Sequence, residues 1–427
     1  MKILIIKNDG FGDLKIIHTL IEQLSNNEKF TIDFIISSKN LDAINNIKGI
    51  RYVYKFNSLA NNYDSKKDLT NDDIENIQLL KKTKYDKCIV LRRYLNEEQV
   101  ILMNYINADK KYSCFAIKHD KNIKLNDDWE NIKISKENIH DYDYFKQFLI
   151  NIKLIKENFK PISIYNKKIS EDYLLINLSG EKGVSRKKDL KSLIGLISKN
   201  YNKKIVIIGK TFDDITKINI ESYLNENSNS NIENLWNKTS FNESMKLIDN
   251  CRYYIGFDTG LSHHASLIKK KSLIILASGG GGKYWPYPNK LGHKTSYLMY
   301  NIPCSGCNYS GIKNYCFFDN KECLTPIFNN KNLEIKIKEF LNNEGNFFLN
   351  LSNFNFFISD WNFRSENMKK NLYAINKEGA LRYEKKKLSI FMSFFYHWII
   401  LFLKLKKIKL DMIKIFIKNL LSFFDKY

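Results

Sequence analysis

The chain has 427 residues, 44% hydrophobic and 27% charged. That excludes a disordered chain and fits two or three globular domains with real cores. Its 68 Lys and Arg against 46 Asp and Glu leave a net +22, which suits anionic partners: nucleic acid, anionic lipid or anionic small molecules. From Lys369 onward 14 residues are basic and 4 acidic, so +10 of that excess sits in the last 59 residues and says little about the core.

The opening "KILIIK" (2–7) is too short for a signal peptide and no small-residue cleavage site follows, so it is expected to be a first strand, with the seven cysteines in a reducing compartment. "DLKIIHTLIEQLS" has the apolar spacing of an amphipathic helix, and "IDFIIS" (32–37) and "YDKCIVL" (85–91) have the form of buried strands. Strands alternating with helices predict a parallel α/β sheet. The pattern loosens over 156–172, where an interdomain linker is expected. A second series follows: "YLLINLS" strand, "LKSLIGLISKN" helix, "KKIVIIG" strand, "FNESMKLIDN" helix, "RYYIGF" strand, "LSHHASLIKK" helix and "SLIILAS" strand. It predicts a second α/β domain, also of nucleotide-binding type, with 222–234 as a polar surface loop. Four of the five prolines lie between Pro286 and Pro326 and mark an irregular segment. Beyond residue 345, "LSIFMSFFYHWIILFL" (388–403) carries no formal charge for 16 residues and precedes a basic amphipathic stretch, 404–424. A spanning helix needs about 20 apolar residues. The pair is therefore expected to anchor on an anionic membrane surface, or alternatively to pack back on the protein.

Three stretches carry candidate chemistry. In "IGFDTGLSHHA" (255–265) a strand delivers Asp258 to the carboxyl edge of a parallel sheet, where such folds bind ligands. The helix that follows offers free amides and its dipole to an anion. Gly260 admits a phosphate close to the backbone, Thr259 and Ser262 carry hydroxyls, and Asp258 can accept from sugar hydroxyls. The stretch suits a phosphorylated sugar; the plainer alternative is a helix capped by Asp258 or Thr259. In "KNDGFGDLKIIHTL" a glycine turn leads from strand to helix, but Lys15 stands where a dinucleotide fingerprint needs its third glycine. Asp13 would repel a pyrophosphate, so it reads as a base at the mouth of a cleft, or as a helix cap. In "NLSGEKGVSRKKDLKSL" a loop bearing Ser179, Lys182, Arg186 and Lys187 could neutralise a diphosphate, or could simply be solvated.

Together "DTGLSH" (258–263), "FGD" (11–13) after a first strand and the basic loop before a helix resemble glycosyltransferase family 9, the ADP-heptose–lipopolysaccharide heptosyltransferases, over roughly residues 1–340. The resemblance implies an α/β fold of the GT-B kind: two Rossmann-like domains facing a cleft, here with a basic, apolar C-terminal helical extension. Expected boundaries are 1–160 for the acceptor-binding domain, 170–340 for the nucleotide-sugar-binding domain and 345–427 for the extension. It implies inverting transfer of a heptose or related sugar from an ADP-sugar to a lipid-linked or oligosaccharide acceptor, with no cofactor required for catalysis. By the same resemblance Asp13 is the general base, Asp258 contacts the transferred sugar, and Thr259, Gly260, Leu261 and His263 line the diphosphate and sugar site. Arg186 or Lys187 matches the family's phosphate-binding cation. Two departures stand out. "KKDL" replaces the usual Trp-Pro pair, and "ASGGGGKYWPYP" (277–288) replaces a shorter motif and reads as a flexible loop or lid.

Cys304, Cys307, Cys316 and Cys323 are spaced as four candidate ligands of a structural zinc, against reduced thiols or an oxidised pair. Cys88, Cys114 and Cys251 adjoin apolar runs and are expected in the core; His18 and His264 suggest no role. The rival readings are a transferase using a UDP-sugar, a nicotinamide enzyme (weakened by the incomplete glycine fingerprint), and a non-enzymatic basic membrane-binding protein. No specific nucleic acid is expected. The implied location is cytoplasmic, peripheral on the inner face of the membrane.

Overall fold

The structure is a computed structural model that describes residues 1–45, 47–57, 69–95, 97–115, 117–118, 124–134, 140–159, 171–179, 187–210, 214–226, 231–276, 284–288, 291, 293–300, 324–342, 345–351, 356–358, 372–375 and 381–384. It divides into two compact units, Met1–Ile164 and Tyr165–Tyr427, and the division falls inside the stretch 156–172.

The first unit runs β1 (Lys2–Ile6), α1 (Phe11–Ile16), α2 (His18–Ser25), β2 (Thr31–Ser37), β3 (Ile50–Phe56), α3 (Asn71–Lys82), β4 (Tyr85–Val90), β5 (Tyr94–Leu95), α4 (Glu97–Met103), β6 (Ala108–Ser113), β7 (Ile117–Lys118), β8 (Trp129–Asn131) and α5 (Asp141–Asn151). Its main sheet is parallel throughout, in the order β3-β2-β1-β4-β6-β8. The central strands are continuous apolar runs because helices cover both faces: Ile3, Leu4, Ile5 and Ile6 are all fully buried. The single expected first helix is instead two, separated at Ile17, and it starts earlier, at Phe11. His18, just after the break, is buried.

The second unit runs β9 (Leu174–Asn177), α6 (Lys187–Asn200), β10 (Ile205–Ile208), α7 (Asp214–Glu226), β11 (Ile232–Asn234), α8 (Phe241–Asn250), β12 (Tyr253–Phe257), α9 (Gly260–Leu267), β13 (Lys271–Leu276), β14 (Thr295–Met299), α10 (Thr325–Phe328), α11 (Asn332–Leu341), β15 (Phe348–Asn350), β16 (Phe356–Ile358), β17 (Leu372–Ile375) and β18 (Leu381–Glu384). Its parallel sheet has the order β11-β10-β9-β12-β13-β14-β15. On α6 the buried residues Leu190, Leu193, Ile194 and Ile197 recur at spacings of three and four, and pack into one core with α10 and α11. Each such burial contributes about 1.5–3 kcal/mol. The expected loop 222–234 is regular at both ends: α7 runs to Glu226, anchored by buried Tyr223 and Leu224, and β11 begins at Ile232. The described part of the 345–427 extension is strand: β15 joins the second sheet, and β16, β17 and β18 form a small antiparallel sheet. The apolar and basic run 388–424 lies outside the described residues.

Both parallel sheets grow outward in two directions from a central pair, β1 beside β4 and β9 beside β12. Where the winding reverses, the loops beyond the strand ends part and leave room for a ligand. Asp13 follows β1, and Ser179 and Asp258 follow β9 and β12.

Candidate active site

In the second unit, Asn177 ends β9 fully buried. Its Nδ2 donates to the Tyr254 hydroxyl at 2.9 Å and the Thr259 hydroxyl at 3.2 Å, while its Oδ1 accepts from the Ser179 amide at 3.0 Å. One amide side chain thus ties three elements together at the switch point. Ser262 is also fully buried: its hydroxyl donates to the Phe257 carbonyl and lies 2.9 Å from the Tyr254 hydroxyl. Ser262 is therefore committed to holding α9 on β12, which removes it as the phosphate donor its position suggested. Burial pushes the Tyr254 phenol up to about 12, so it acts as a neutral hydrogen-bonding group at ordinary pH. Gly256 is required here, because a Cβ would stand 2.6 Å from the Tyr254 hydroxyl.

Thr259 caps α9, its hydroxyl accepting from the Ser262 amide at 3.4 Å. The capping alternative is thus met by Thr259, and the amides of Gly260 and Leu261 precede the first intrahelical bond, from His263 N to Thr259 O, an arrangement of the kind that suits an anion. Leu261 is 5% exposed, so what it offers a ligand is its backbone. Ser179 is held by the turn after β10: its hydroxyl accepts from the Lys210 amide at 3.0 Å, and Gly209, with φ +139°, leaves it room. Lys187 opens α6, while Lys182 and Arg186 lie outside the described residues.

Asp258 is the buried acid of this region, its side chain 7% exposed. The Trp285 indole N–H donates to its Oδ1 at 2.8 Å, and His263 Nε2 lies 3.8 Å from the same oxygen. The His263 ring stacks on Trp285 with centroids 4.1 Å apart and planes 9° from parallel. Its Nδ1 pairs with the Tyr287 hydroxyl at 2.9 Å. The segment expected as a loop or lid therefore splits. The glycine run 277–283 lies outside the described residues, whereas Trp285 is fully buried against Asp258 and His263. Sequence reasoning missed Trp285 and Asn177; the signal for Trp285 was a bulky aromatic among glycines and prolines, where an exposed loop has no use for one. His264, given no role, pairs with Asp249 at 3.0 Å.

In the first unit Asp13 occupies the first turn of α1, whose N-cap is Gly10. A Cβ on Gly10 would stand 3.1 Å from Asp13 Oδ2, so the glycine leaves space for this carboxylate. Lys15, in the third-glycine place, is buried and donates to the Ala43 carbonyl at 2.9 Å. Beside this turn sits an unforeseen ionic cluster. Arg92 Nε meets Asp9 Oδ1 at 2.7 Å, Lys7 meets the other Asp9 oxygen, and Arg93 reaches Asp141 at 2.9 Å. Arg92 also donates to Gln99 at 2.7 Å and Asn8 at 3.2 Å.

Cys304, Cys307, Cys316 and Cys323 lie outside the described residues, and among the described residues no group of His, Cys, Asp and Glu could hold a metal. Cys88, Cys114 and Cys251 are buried and reduced, as core residues. Among the described residues no helix is long and apolar enough to cross a membrane.

Residues 146–306 match the family model of glycosyltransferase family 9 (heptosyltransferase). No curated protein matches the sequence. Among solved structures, the E. coli heptosyltransferase WaaC with ADP-2-deoxy-2-fluoro heptose is similar, with a TM-score of 0.57 and 13% identity over 81% of this chain and 100% of that one. The E. coli ADP-heptose lps heptosyltransferase II gives 0.51 and 12% over 81% and 100%. A glycosyl transferase family 9 protein from Veillonella parvula gives 0.51 and 13% over 70% and 85%. At these identities the structures speak for the fold, a GT-B fold, while the match over 146–306 covers the segment that holds Ser179, Asp258 and His263. Residues 146–306 are thus similar to glycosyltransferase family 9 (heptosyltransferase), and the fold is similar to that of the E. coli heptosyltransferases.

Proposed function

We propose that the chain is an inverting glycosyltransferase that moves a heptose or related sugar from an ADP-sugar to a hydroxyl of a lipopolysaccharide, lipooligosaccharide or capsule acceptor. The observation that carries this reading is the DTGLSH segment at the β9/β12 switch point, where buried Asp258 and the first amides of α9 open beyond the strand ends. A carboxylate suits sugar hydroxyls and helix amides suit a diphosphate. The known structure with ADP-2-deoxy-2-fluoro heptose makes an ADP-sugar the first donor to try.

In this reading Asp13 takes the proton of the acceptor hydroxyl as its oxygen attacks the anomeric carbon. The bond from that carbon to the diphosphate oxygen breaks, and the nucleoside diphosphate leaves with the added charge. The amides of α9 and the cations Lys182, Arg186 and Lys187 stabilise that charge more in the transition state than before it. General-base assistance is worth roughly 10²–10⁴-fold. No metal takes part in the transfer; a zinc on the four late cysteines would be structural, and metal analysis of the purified protein decides it. The basic tail would keep the protein at an anionic inner membrane face, where a lipid-linked acceptor is made. Flotation with anionic liposomes, with and without residues beyond 350, tests that part.

The catalytic reading is tested by ADP release from ADP-heptose in the presence of heptose-deficient lipopolysaccharide. Asp13→Asn is expected to lose at least about 100-fold in turnover, the lower end of the general-base range, while donor binding is retained. Wild-type turnover in that variant would remove Asp13 from the mechanism. If UDP-sugars are consumed and ADP-heptose is not, the site stands and the donor is different.

A further inference from the structure

Trp285 is a fully buried indole that spends its one N–H on the acid nearest the proposed sugar. Resting on the reading above, we propose that Trp285 is a positioning residue that fixes the Asp258 carboxylate for the hydroxyl-bearing ring of a nucleotide sugar.

The choice of donor is what suggests the role. A Lys or Arg in the place of Trp285 would neutralise Asp258 and could engage both oxygens. An indole has a single N–H and no acceptor, so it orients one oxygen and leaves the carboxylate its charge. The Asp258 side chain is 7% exposed, and a buried charge is tolerated only where donors or dipoles meet it. The indole N–H meets Oδ1, and the N-terminal end of α9, which begins two residues later, adds its dipole.

The ring itself is clamped. His263 stacks on one face at 4.1 Å, and Tyr287 and Tyr297 approach at 5.3 and 5.7 Å. The Tyr287 hydroxyl then fixes the His263 ring through Nδ1 at 2.9 Å. Carboxylate, imidazole and indole thus form one interlocked group, built from the loop after β13 as much as from the DTGLSH segment. A Trp serving only as core filling needs no partner for its N–H in the site; this one has the acid.

The test isolates that N–H. In the full-length protein, Trp285 is replaced by β-(3-benzothienyl)alanine, in which sulfur takes the place of the N–H and the shape is kept; Trp285→Phe is made in parallel. ADP-heptose and ADP are titrated by calorimetry. The expected result is about a tenfold loss for ADP-heptose, the scale of one hydrogen bond to a charged group, with the ADP affinity changed less than twofold. In an Asp258→Ala background the replacement is expected to add nothing, because its partner is gone. Equal losses for the two ligands, no loss, or a full additional loss without Asp258 would each overturn the proposal. A ligand-free arm separates it from the functional reading: the indole 15N–H resonance of Trp285 is expected to move on Asp258→Ala. If neither nucleotide binds the wild-type protein but the resonance moves, the donor reading falls and the Trp285–Asp258 coupling stands. A resonance that stays put overturns the proposal.

Discussion

At the ends of β1 and β4 the buried polar groups are mostly charged: Lys7, Arg92 and Arg93 face Asp9 and Asp141, and both arginines are at most 2% exposed. At the ends of β9 and β12 the described ones are mostly neutral: Asn177, Tyr254, Thr259 and Ser262, with the Asp258 carboxylate held by an indole. The sheet topology is the same and the chemistry is not. Ions in a low-dielectric setting organise a turn strongly, but removing one strands its partner. Neutral hydrogen bonds organise it at smaller cost and leave nearby charge for a ligand. The first arrangement makes a stiff support for the turn that carries Asp13, and the second places the Asp258 carboxylate beside the first amides of α9.

The sharpest way to break this contrast is to strand a charge. Arg92→Met removes one of the cations that face Asp9 and is expected to cost about 3–5 kcal/mol in denaturant unfolding. A loss below about 1 kcal/mol would mean that the cluster does not support the first unit. Asn177→Ala removes three neutral hydrogen bonds at the second switch point and is expected to cost less, about 1–3 kcal/mol. If it costs more than Arg92→Met, the contrast is inverted. Gly209→Ala sharpens the picture around Ser179: its φ of +139° disfavours a side chain, and the new Cβ would stand 2.6 Å from the Trp236 ring and 2.8 Å from the Ser179 amide. The expected loss is about 1–3 kcal/mol, with weaker ADP binding measured alongside.

The smallest effect belongs to exposed ions. Asp172 is held below the ordinary carboxylate range, chiefly by its hydrogen bond with Lys203 and then by Arg252. A depressed folded-state value stabilises above the unfolded one, and that stabilisation fades as pH falls through the folded value. Asp172→Asn is expected to cost under about 1 kcal/mol at pH 7, since the pair is solvent-screened, and still less near pH 3. A larger cost in acid than at neutral pH would reverse the sign.

Much of this was legible in the sequence. The strands β1, β9 and β12 are apolar runs, and Asp13 and Asp258 each follow such a run. What escaped has physical reasons. β3, "IRYVYKF", mixes bases with aromatics because it lies at the sheet edge, with Arg51 and Tyr52 exposed. α7 hides in a polar stretch because, among its described side chains, only Ile220, Tyr223 and Leu224 are buried. The Arg92–Arg93 pair looks solvated until the fold brings Asp9 and Asp141 to it from 83 residues before Arg92 and 48 after Arg93. Trp285 looked like part of a loop because its partner lies 27 residues back in the chain. Pairings of that range leave no local pattern.

The most direct measurement is a calorimetric titration of ADP and UDP into the full-length protein and into Thr259→Val, which loses the hydroxyl that caps α9. ADP is expected to bind the wild type in preference to UDP and to bind Thr259→Val several-fold more weakly, in line with the cap's contribution of about 1 kcal/mol. Unchanged ADP affinity in the variant, or no binding of either nucleotide to the wild type, would contradict a donor site at the start of α9.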